Sequence, residues 1–309
     1  MVQGRVWIMT TLALVGKGRW GKNYINTINN LSSCELPDNF IKTSNYKDLF
    51  AFDNIQGVII ATPSSTHFKI AKEFLEKGFN VLIEKPMTTN YKDALELSRI
   101  VKEHRNIVMV GHIYLYSPAF LKVKKLIKSI GRIKYILTEG MNYGPIRSDV
   151  SALWDWGPHD VSMAIDLLGS LPEEVSASGL SHVRPGTQLY DMCNLKLKFV
   201  NDVYCFVNIG WLSPIKKRNM TIVGDNKTIV FDDTIEKKVA VIKNLKNKKT
   251  DYPSFLKDSP LRLEISNFVD QIKNREKNYS SLKMGLDVVR VLTACEKSMK
   301  LNGKIIKIN

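Results

Sequence analysis

The sequence predicts an α/β fold, with a doubly wound parallel sheet in its first part and an open, mostly antiparallel sheet in its second. An apolar run, Thr11–Val15, leads directly into a glycine-rich turn. Strand-like and helix-like segments then alternate as far as Gly131, which is typical of a parallel sheet. Beyond Gly131 the segments become short, β-rich and separated by turns. A length of 309 residues suits two domains.

The strands of the first part are short apolar runs, as expected for strands buried on both faces. These runs are Thr11–Val15, Gly57–Ala61, Phe79–Ile83 and Ile107–Val110. Helices are expected between them, and the clearest begins after Asn90, a good N-cap, with Asp93 in its first turn. Pro118 suits the first turn of a further helix, which Gly131 closes.

A glycine pattern follows the first strand, since Gly16, Gly18 and Gly21 are spaced as G-x-G-x-x-G. The first glycine permits a tight turn, the second lets the backbone approach a pyrophosphate, and the third allows close helix–strand packing. The following helix adds positive potential at its N-terminus. We therefore expect a Rossmann dinucleotide-binding domain, with Arg19 and Trp20 also among the cofactor-binding residues and NAD or NADP as the cofactor.

The acidic residue that usually binds the ribose hydroxyls, about twenty positions further on, is not clear. The segment 31–45 is short and poor in strand signal, so a strand–helix unit is expected to be shortened or missing. Glu35 or Asp38 could contact the ribose, although a loop position suits either residue better. The choice between NAD and NADP therefore stays open.

The second part reads as a separate α+β domain. Its predicted strands are Arg132–Glu139, Glu174–Gly179, Met192–Val200, Val203–Trp211, Met220–Val223 and Thr228–Phe231. A helix from about His159 to Leu168 interrupts them, two helices close the chain, and Ile305 and Ile306 suit a last edge strand. We expect a dinucleotide-binding domain over 1–117 and a substrate-binding and oligomerisation domain over 118–309, whose last residues could return to the first.

Glu84-Lys85-Pro86 lies where a predicted parallel strand ends. In an open α/β sheet, ligands bind beyond the carboxyl ends of the strands. A lysine held there by a proline can face a bound cofactor and exchange a proton with its substrate. This motif, together with the glycine turn, predicts a nicotinamide-dependent oxidoreductase.

A second motif, Asp155-x-x-x-His159, falls at the predicted start of the helix in the second domain. Pro158 suits the first turn of that helix, and His159 would then lie near the positive end of the helix dipole, which lowers its pKa. A histidine can relay a proton, and a carboxylate can orient it or hold a substrate hydroxyl. Taken alone, the motif is explained equally well by a cap with a surface histidine, and the lysine motif of the other domain favours the catalytic interpretation.

These motifs together resemble the Gfo/Idh/MocA family, which includes glucose–fructose oxidoreductase, inositol dehydrogenase and sugar-nucleotide dehydrogenases. The resemblance covers nearly the whole chain. It rests on Gly16–Gly21, Ala61-Thr62-Pro63-x-x-x-His67, Glu84-Lys85-Pro86, Gly111-His112 with Tyr114 and Tyr116, and Asp155-x-x-x-His159. The segment from Tyr143 to Asp155 is similar to the branch that acts on nucleotide-linked or amino sugars.

The resemblance implies roles for these residues. Lys85, in a bond to Pro86 that is often cis, would contact both the nicotinamide ribose and the substrate, and His159 would be the main acid/base with Asp155 in support. The remaining cofactor contacts would come from Thr62, Pro63, His67, Glu84 and Pro86. Dimers or tetramers would form through the open sheet of the second domain.

The expected reaction is hydride transfer between nicotinamide and a hydroxyl-bearing carbon of a sugar, sugar nucleotide or cyclitol. The expected substrate contacts are Tyr114, Tyr116, Arg147 and Trp154, although an aromatic core role or a surface arginine explains some of these equally well. Two alternatives stay open. One is a non-catalytic dinucleotide-binding or sensing protein, and the other is a reductase of a non-sugar carbonyl.

The composition argues against several other classes. The net charge of +15 would allow a nucleic-acid partner, but the lysines are spread along the chain and no nucleic-acid motif accompanies them, so none is expected. The four cysteines form no C-x-x-C pair, and we expect neither a metal site nor a disulfide framework. No apolar run could span a bilayer, and no export signal is recognisable, so a cytoplasmic protein without membrane contact is expected.

Overall fold

A computed structural model describes residues 9–40, 45–244, 249–274 and 279–308. The chain forms two compact units. The first contains the described residues up to Gly111 together with Ser259–Leu286, and the second contains His112–Asp258 and the residues from Asp287 onward. The division therefore falls slightly before the expected boundary after residue 117. The later segment that belongs to the first unit is Ser259–Leu286, whereas the last residues of the chain belong to the second unit.

The regular elements are numbered in chain order. The strands are β1 Thr10–Val15, β2 Cys34–Glu35, β3 Gly57–Ile60, β4 Asn80–Glu84, β5 Val108–Gly111, β6 Ile133–Tyr143, β7 Glu174–Leu180, β8 Met192–Phe199, β9 Val203–Gly210, β10 Leu212–Gly224, β11 Thr228–Asp232, β12 Val239–Asn244, β13 Lys249–Asp251 and β14 Ile306–Lys307. The α-helices are α1 Arg19–Ile28, α2 His67–Glu76, α3 Tyr91–His104, α4 Pro118–Leu126, α5 Ala152–Leu168, α6 Pro260–Asn274 and α7 Tyr279–Lys300.

The first unit contains a parallel sheet with the strand order β2-β1-β3-β4-β5 among the described residues. Its central strands are buried on both faces, as their continuous apolar sequences predict. Val15 pairs with Ile60, Ile60 with Ile83, and Ile83 with Val110. Because these ends are in register, the residues that follow β1, β3, β4 and β5 all leave the sheet at one edge. This doubly wound arrangement confirms the predicted fold class.

Strand β2 is much shorter than its neighbours. It pairs with β1 only at Thr10 and Thr11, which is the start of β1 rather than its carboxyl end. A short 3-10 turn, Asp38–Phe40, follows, and a second 3-10 segment spans Tyr46–Ala51. The structure thus contains a shortened strand–helix unit at this position.

Helix α6 packs against the parallel sheet from a distant part of the sequence. A side-chain carbon at Gly57 would lie 2.8 Å from Ile272 Cδ1 and 2.9 Å from Phe268 Cε1. Glycine at this position in β3 therefore permits a close approach of the helix to the strand. Phe268 and Val269 are completely buried, so α6 contributes to the core of the first unit.

The second unit contains a sheet with the described strand order β13-β12-β11-β10-β6-β9-β8-β7-β14. Among the described ladders of this second sheet, only the β6–β9 pair is parallel, so the mostly antiparallel sheet is confirmed. Strand β14 is the expected last edge strand and pairs with β7. Alternation along β9 buries Cys205, Val207 and Ile209 on one face.

Helix α5 covers the buried face of this sheet and is longer than the sequence indicated. It begins at Ala152 rather than near His159, so Pro158 lies in the interior of the helix. Proline usually disfavours such a position, since it lacks an N–H and clashes with the preceding turn. Here the burial of Ala152 and Leu153 at the start of the helix outweighs that preference. Gly169, with φ of 69°, ends the helix as predicted.

The four cysteines are free and buried, so they are core side chains in this structure. Burial raises the pKa of Cys193 to about 12 and also raises the pKa of Cys205 and Cys295. These thiols are therefore protonated at neutral pH. No helix in the described ranges is both long and apolar enough to cross a membrane.

Candidate active site

The glycine turn between β1 and α1 is built on two glycines that the backbone requires. Gly16 has φ of 108°, and a side-chain carbon there would overlap the carbonyl oxygen of Ala61. A side-chain carbon at Gly21 would overlap the carbonyl oxygen of Gly16. These two positions set the tight turn and the close packing of α1, as the spacing predicts.

Gly18 differs from both, because nothing in the protein requires a glycine there. Its φ is −67°, which any residue adopts, and a side-chain carbon at Gly18 would meet no atom within 4 Å. Gly18 is also the N-cap of α1, whose first turn contains no acidic side chain. Open space beside the unshielded N–H groups of a helix start fits an approaching pyrophosphate. Arg19 is exposed and Trp20 is half-buried in the same turn.

The two candidate ribose-binding acids lie at different places. Glu35 is in register with Thr11, at the start of β1, and its carboxylate accepts a hydrogen bond of 2.8 Å from the Thr11 hydroxyl. The glycine turn follows Val15, so Glu35 lies toward the opposite end of that strand. Asp38 begins the 3-10 turn after β2 and is exposed. The geometry therefore argues against Glu35 as the ribose-binding acid.

The loops after β3 and β4 are joined through His67. Its Nδ1 lies 2.8 Å from the carbonyl oxygen of Pro86, and its Nε2 lies 2.9 Å from the carbonyl oxygen of Thr62. The ring is only 1% exposed, so it holds these loops together rather than facing solvent. Thr62 is half-buried, and the adjacent Pro63 is exposed at the sheet edge.

Glu84-Lys85-Pro86 lies at the end of β4, as predicted. The Glu84 side chain is buried, and it accepts hydrogen bonds from the Tyr24 hydroxyl at 2.8 Å and from the Lys85 backbone N–H at 3.1 Å. Glu84 therefore shapes the loop from beneath. Lys85 is half-buried, and its bond to Pro86 is cis, as the resemblance implies.

In the second unit, Asp155 and His159 lie one turn apart on α5. Since the helix begins at Ala152, His159 is in its interior, so the predicted dipole effect at the helix start does not apply to this histidine. Residues four apart share a face of a helix, and the two side chains therefore lie on one face. His159 is 7% exposed.

Asp155 is held by two neighbours from outside the helix. The indole N–H of Trp211 donates to its Oδ2 at 3.0 Å, and Arg147 Nε lies 3.5 Å from its Oδ1. Arg147 therefore places a positive charge beside Asp155, and its side chain is 36% exposed. Arg184 donates to the Arg147 carbonyl oxygen at 2.6 Å, which orders the loop before α5.

Aromatic rings surround His159. The ring of Tyr114 meets it edge-on at a centroid distance of 5.1 Å, and the Trp156 ring lies 5.9 Å away. The Tyr114 hydroxyl is 3.4 Å from Asp233 Oδ2, and burial together with that carboxylate raises the pKa of Tyr114. The phenol is therefore a neutral hydrogen-bonding group at physiological pH.

Two further residues of this cluster were not predicted from the sequence. Asp160 is buried, and loss of solvation raises its pKa to about 7, although the positive charge of Arg218 acts in the opposite direction. The Arg218 guanidinium stacks 3.4 Å from the Trp156 ring centroid and donates to Asn142 Oδ1 at 2.6 Å. No local motif marks Arg218, since only the pairing of β6 with β10 brings it to α5.

Trp154 is placed differently from the other predicted substrate contacts. It is 3% exposed, and its indole N–H donates to Glu296 Oε1 at 3.1 Å. It therefore packs as a core residue between α5 and α7, because the early start of α5 turns it away from Asp155. Tyr116 is half-buried at the end of the 3-10 segment Ile113–Tyr116.

The predicted site residues thus form two clusters, one in each unit. The first unit contains the glycine turn, Thr62, Pro63, His67, Glu84, Lys85 and Pro86. The second contains Tyr114, Arg147, Asp155 and His159. No group of three or more His, Cys, Asp or Glu side chains in the described residues is arranged to hold a metal ion.

Two domain models of one family match the sequence. The model described as "Oxidoreductase family, NAD-binding Rossmann fold" matches residues 33–112, and the model described as "Oxidoreductase family, C-terminal alpha/beta domain" matches residues 124–307. The chain belongs to the Gfo/Idh/MocA oxidoreductase family. This result confirms the resemblance and the expected nicotinamide dinucleotide. The first match begins after the glycine turn, so the role of that turn rests on its geometry.

The chain is similar to curated proteins over part of its length. It is 30% identical over 130 residues to UDP-N-acetylglucosamine 3-dehydrogenase of Acidithiobacillus ferrooxidans, which covers 42% of this chain and 41% of that protein. It is 29% identical over 157 residues to scyllo-inositol 2-dehydrogenase (NADP(+)) IolW of Bacillus subtilis, which covers 47% of this chain and 43% of that protein. The matched regions span less than half of these relatives.

A solved structure is similar over a greater length. The crystal structure of an oxidoreductase from Magnetospirillum magnetotacticum MS-1 is 31% identical, with a TM-score of 0.83. It covers 93% of this chain and 100% of that chain. The fold of this chain is therefore shared with a solved crystal structure over nearly its whole length.

Gly18→Ala should separate cofactor binding from folding. The methyl group meets no protein atom, so the melting temperature of the free protein should change little. It enters the space that a pyrophosphate would use and would weaken hydrogen bonds between the backbone and the phosphates. We therefore expect the Kd for NAD(H) or NADP(H) to rise about tenfold or more. Isothermal titration calorimetry measures the Kd, and differential scanning calorimetry measures stability.

Gly16→Ala provides the contrast, since it adds a clash and an unfavourable φ and should lower the melting temperature by itself. Unchanged dinucleotide affinity in Gly18→Ala would contradict the assignment of this turn to the pyrophosphate.

Proposed function

We propose that this chain catalyses reversible hydride transfer between nicotinamide and a hydroxyl-bearing carbon of a sugar, sugar nucleotide or cyclitol. The observation that carries the proposal is the Asp155–His159 pair on one face of α5, in a chain of an NAD-binding oxidoreductase family. A protein that only bound a dinucleotide would not need such a pair. Lys85, at the carboxyl edge of the parallel sheet, supports the same conclusion.

Oxidation of a carbinol separates into a hydride and a proton. A bound nicotinamide dinucleotide would supply the hydride acceptor, and a protein base must take the hydroxyl proton. We assign that base to His159, whose imidazole can accept a proton and return it. Asp155, which Trp211 and Arg147 hold in place, orients His159. In the reverse direction, the protonated His159 returns the proton to the forming hydroxyl.

Lys85 has a different role in the proposal. Its ammonium group can donate a hydrogen bond to the reacting oxygen and stabilise the negative charge that develops there. Lys85 is half-buried, and the loop around it is fixed, so its side chain can adopt few rotamers. This restriction favours a defined direction of the ammonium group. Glu84 and His67 hold this loop from two sides.

The relatives support the substrate class. One similar protein is a UDP-N-acetylglucosamine 3-dehydrogenase and another is a scyllo-inositol 2-dehydrogenase. Both names describe oxidation of a ring carbinol. Arg147 lies beside Asp155 and could also bind a phosphate or carboxylate of a substrate, as a guanidinium does. A panel of sugar nucleotides and cyclitols, assayed with NAD and with NADP by nicotinamide absorbance, tests this assignment.

One observation favours a second candidate, a dinucleotide sensor without catalysis. Strand β2 pairs with only the start of β1, and the Glu35 carboxylate is engaged by Thr11 there. An altered adenosine region would suit a protein that binds the cofactor without turning it over. A complete lack of turnover across the panel, with dinucleotide binding intact, would favour the sensor.

Lys85→Met and His159→Asn should each lower kcat by about 10²- to 10⁴-fold, the usual contribution of a positioned proton-transfer group. The Kd for the dinucleotide should change much less, because neither side chain is expected to bind the pyrophosphate. Steady-state kinetics on the best substrate of the panel and a binding titration provide the two numbers.

Lys69→Met is the matched control, since Lys69 is an exposed lysine on α2 of the same unit. It should leave both numbers unchanged. Full turnover in Lys85→Met would remove Lys85 from the reaction.

We also propose that two copies of the chain associate through the exposed face of the second sheet. Leu137 is 40% exposed, Tyr135 is 38% exposed and Phe206 is 37% exposed, although all three lie on central strands. Leu137 and Phe206 are neighbours across the β6–β9 pair, and the Tyr204 and Phe206 rings stack at 6.0 Å. Apolar side chains grouped on an uncovered sheet mark an interaction surface, and a second copy offers the same surface.

Leu137→Lys combined with Phe206→Lys should convert the assembly to monomers, because two lysines from each copy would be buried in an apolar interface. Light scattering coupled to size-exclusion chromatography measures the mass. Leu95→Lys, on α3 of the first unit, replaces another exposed leucine and should leave the mass unchanged. A wild-type protein that is monomeric at all concentrations would contradict the proposal.

A further inference from the structure

Beneath the Lys85 loop lies a buried cluster of three ionisable side chains from three elements, Tyr24 of α1, Glu84 of β4 and Glu264 of α6. Tyr24 and Glu264 are completely buried, and Glu84 is 7% exposed. The Tyr24 oxygen lies 2.8 Å from Glu84 Oε1 and 3.2 Å from Glu264 Oε1. The other oxygen of Glu84 accepts the Lys85 backbone N–H.

The protons of this cluster can be counted. A tyrosine hydroxyl has one hydrogen, so it can donate to only one of the two carboxyl groups. The shorter contact is to Glu84, which makes Glu84 the acceptor. The 3.2 Å contact to Glu264 is then favourable only if Glu264 carries a hydrogen and donates it to the Tyr24 oxygen.

The remaining oxygen of Glu264 fits the same assignment. Among the described residues, Glu264 Oε2 has no hydrogen-bond partner although it is buried. An ionised oxygen in that position would be very costly, whereas the carbonyl oxygen of a neutral acid is less so. Burial and the nearby charge of Glu84 both raise the pKa of Glu264, and burial raises the pKa of Tyr24 as well.

We propose that Glu264 is a neutral carboxylic acid that donates to Tyr24, which in turn donates to the Glu84 carboxylate that holds the Lys85 backbone. Glu264 and Tyr24 are thus positioning residues for Lys85. Their effect on turnover rests on the proposed function, whereas the hydrogen-bond chain itself does not. The chain also links α1, which follows the glycine turn, to the loop that bears the lysine.

Three variants separate this role from simple packing. Glu264→Gln keeps the size and a donor N–H, so it should preserve the chain. Glu264→Met keeps a similar length but removes the donor, and Tyr24→Phe removes the central hydroxyl. If the cluster only filled space, Glu264→Met and Tyr24→Phe would leave the Lys85 backbone unaffected.

The first readout is hydrogen exchange of the Lys85 amide, measured by NMR on protein labelled with ¹⁵N-lysine. Its N–H donates to Glu84 Oε2, so its protection reports the end of the chain. Protection should fall about tenfold in Glu264→Met and Tyr24→Phe, which corresponds to about one hydrogen bond. It should stay within about twofold of wild type in Glu264→Gln.

The second readout is the infrared C=O stretch of a protonated carboxyl group in the full-length protein at neutral pH. The band should be present in wild type and missing from Glu264→Gln, so it should appear in the difference spectrum of the two proteins. An ionised Glu264, or equal loss of Lys85 protection in Glu264→Gln and Glu264→Met, would overturn the proposal.

Neither readout depends on turnover. A protein with the carboxyl band and the protected amide but without activity on any carbinol would count against the proposed function alone. In an active protein, kcat should fall in Glu264→Met and Tyr24→Phe with little change in dinucleotide Kd, and Glu264→Gln should retain wild-type kcat.

Discussion

The hydrogen bond from Tyr24 to Glu84 connects the parts of the first unit on which its site depends. Tyr24 belongs to the helix that the glycine turn begins, and Glu84 is the last residue of the strand that leads to Lys85. A buried bond of 2.8 Å between these elements fixes one relative to the other more firmly than apolar packing alone would. The in-register strand ends supply the common edge, and this bond sets the position of the lysine loop on it.

In the second unit, helix α5 positions the site residues. Because α5 begins at Ala152, it presents Asp155 and His159 in successive turns, and the sheet beneath it supplies Arg218 and Trp211. Burial of these polar groups is expensive unless they are paired, and most of them are paired across elements rather than along the chain. The result is a rigid arrangement in which the carboxylate of Asp155 cannot move without losing two partners.

Local patterns predicted most of the fold. The apolar strands, the glycine turn, the Asn90 cap and the Gly169 stop each depend on a few adjacent residues, and the structure confirms them. The predicted start of α5 was wrong because tertiary packing outweighs the general preference for proline in the first turn of a helix. The return of α6 to the first unit was not foreseen, since no local pattern records which sheet a helix covers.

Local patterns also predicted only part of the candidate site. Lys85, Asp155 and His159 belong to short motifs and were named from the sequence, but Arg218 and Glu264 reach their clusters only through long-range packing. Trp154 was named as a substrate contact with a core role as the alternative, and the structure places its side chain in the core, where it donates to Glu296. Sequence patterns identify chemical groups, whereas strand pairing and helix contacts decide which groups meet.

We propose that Lys85 lies where the nicotinamide end of the cofactor binds. The most direct measurement is the rate of chemical modification of Lys85 by an amine-reactive reagent, followed by mass spectrometry with and without saturating NADH or NADPH. We expect strong protection of Lys85 by the dinucleotide and no protection of the exposed Lys69. Equal modification of Lys85 with and without a dinucleotide shown to be bound would contradict it.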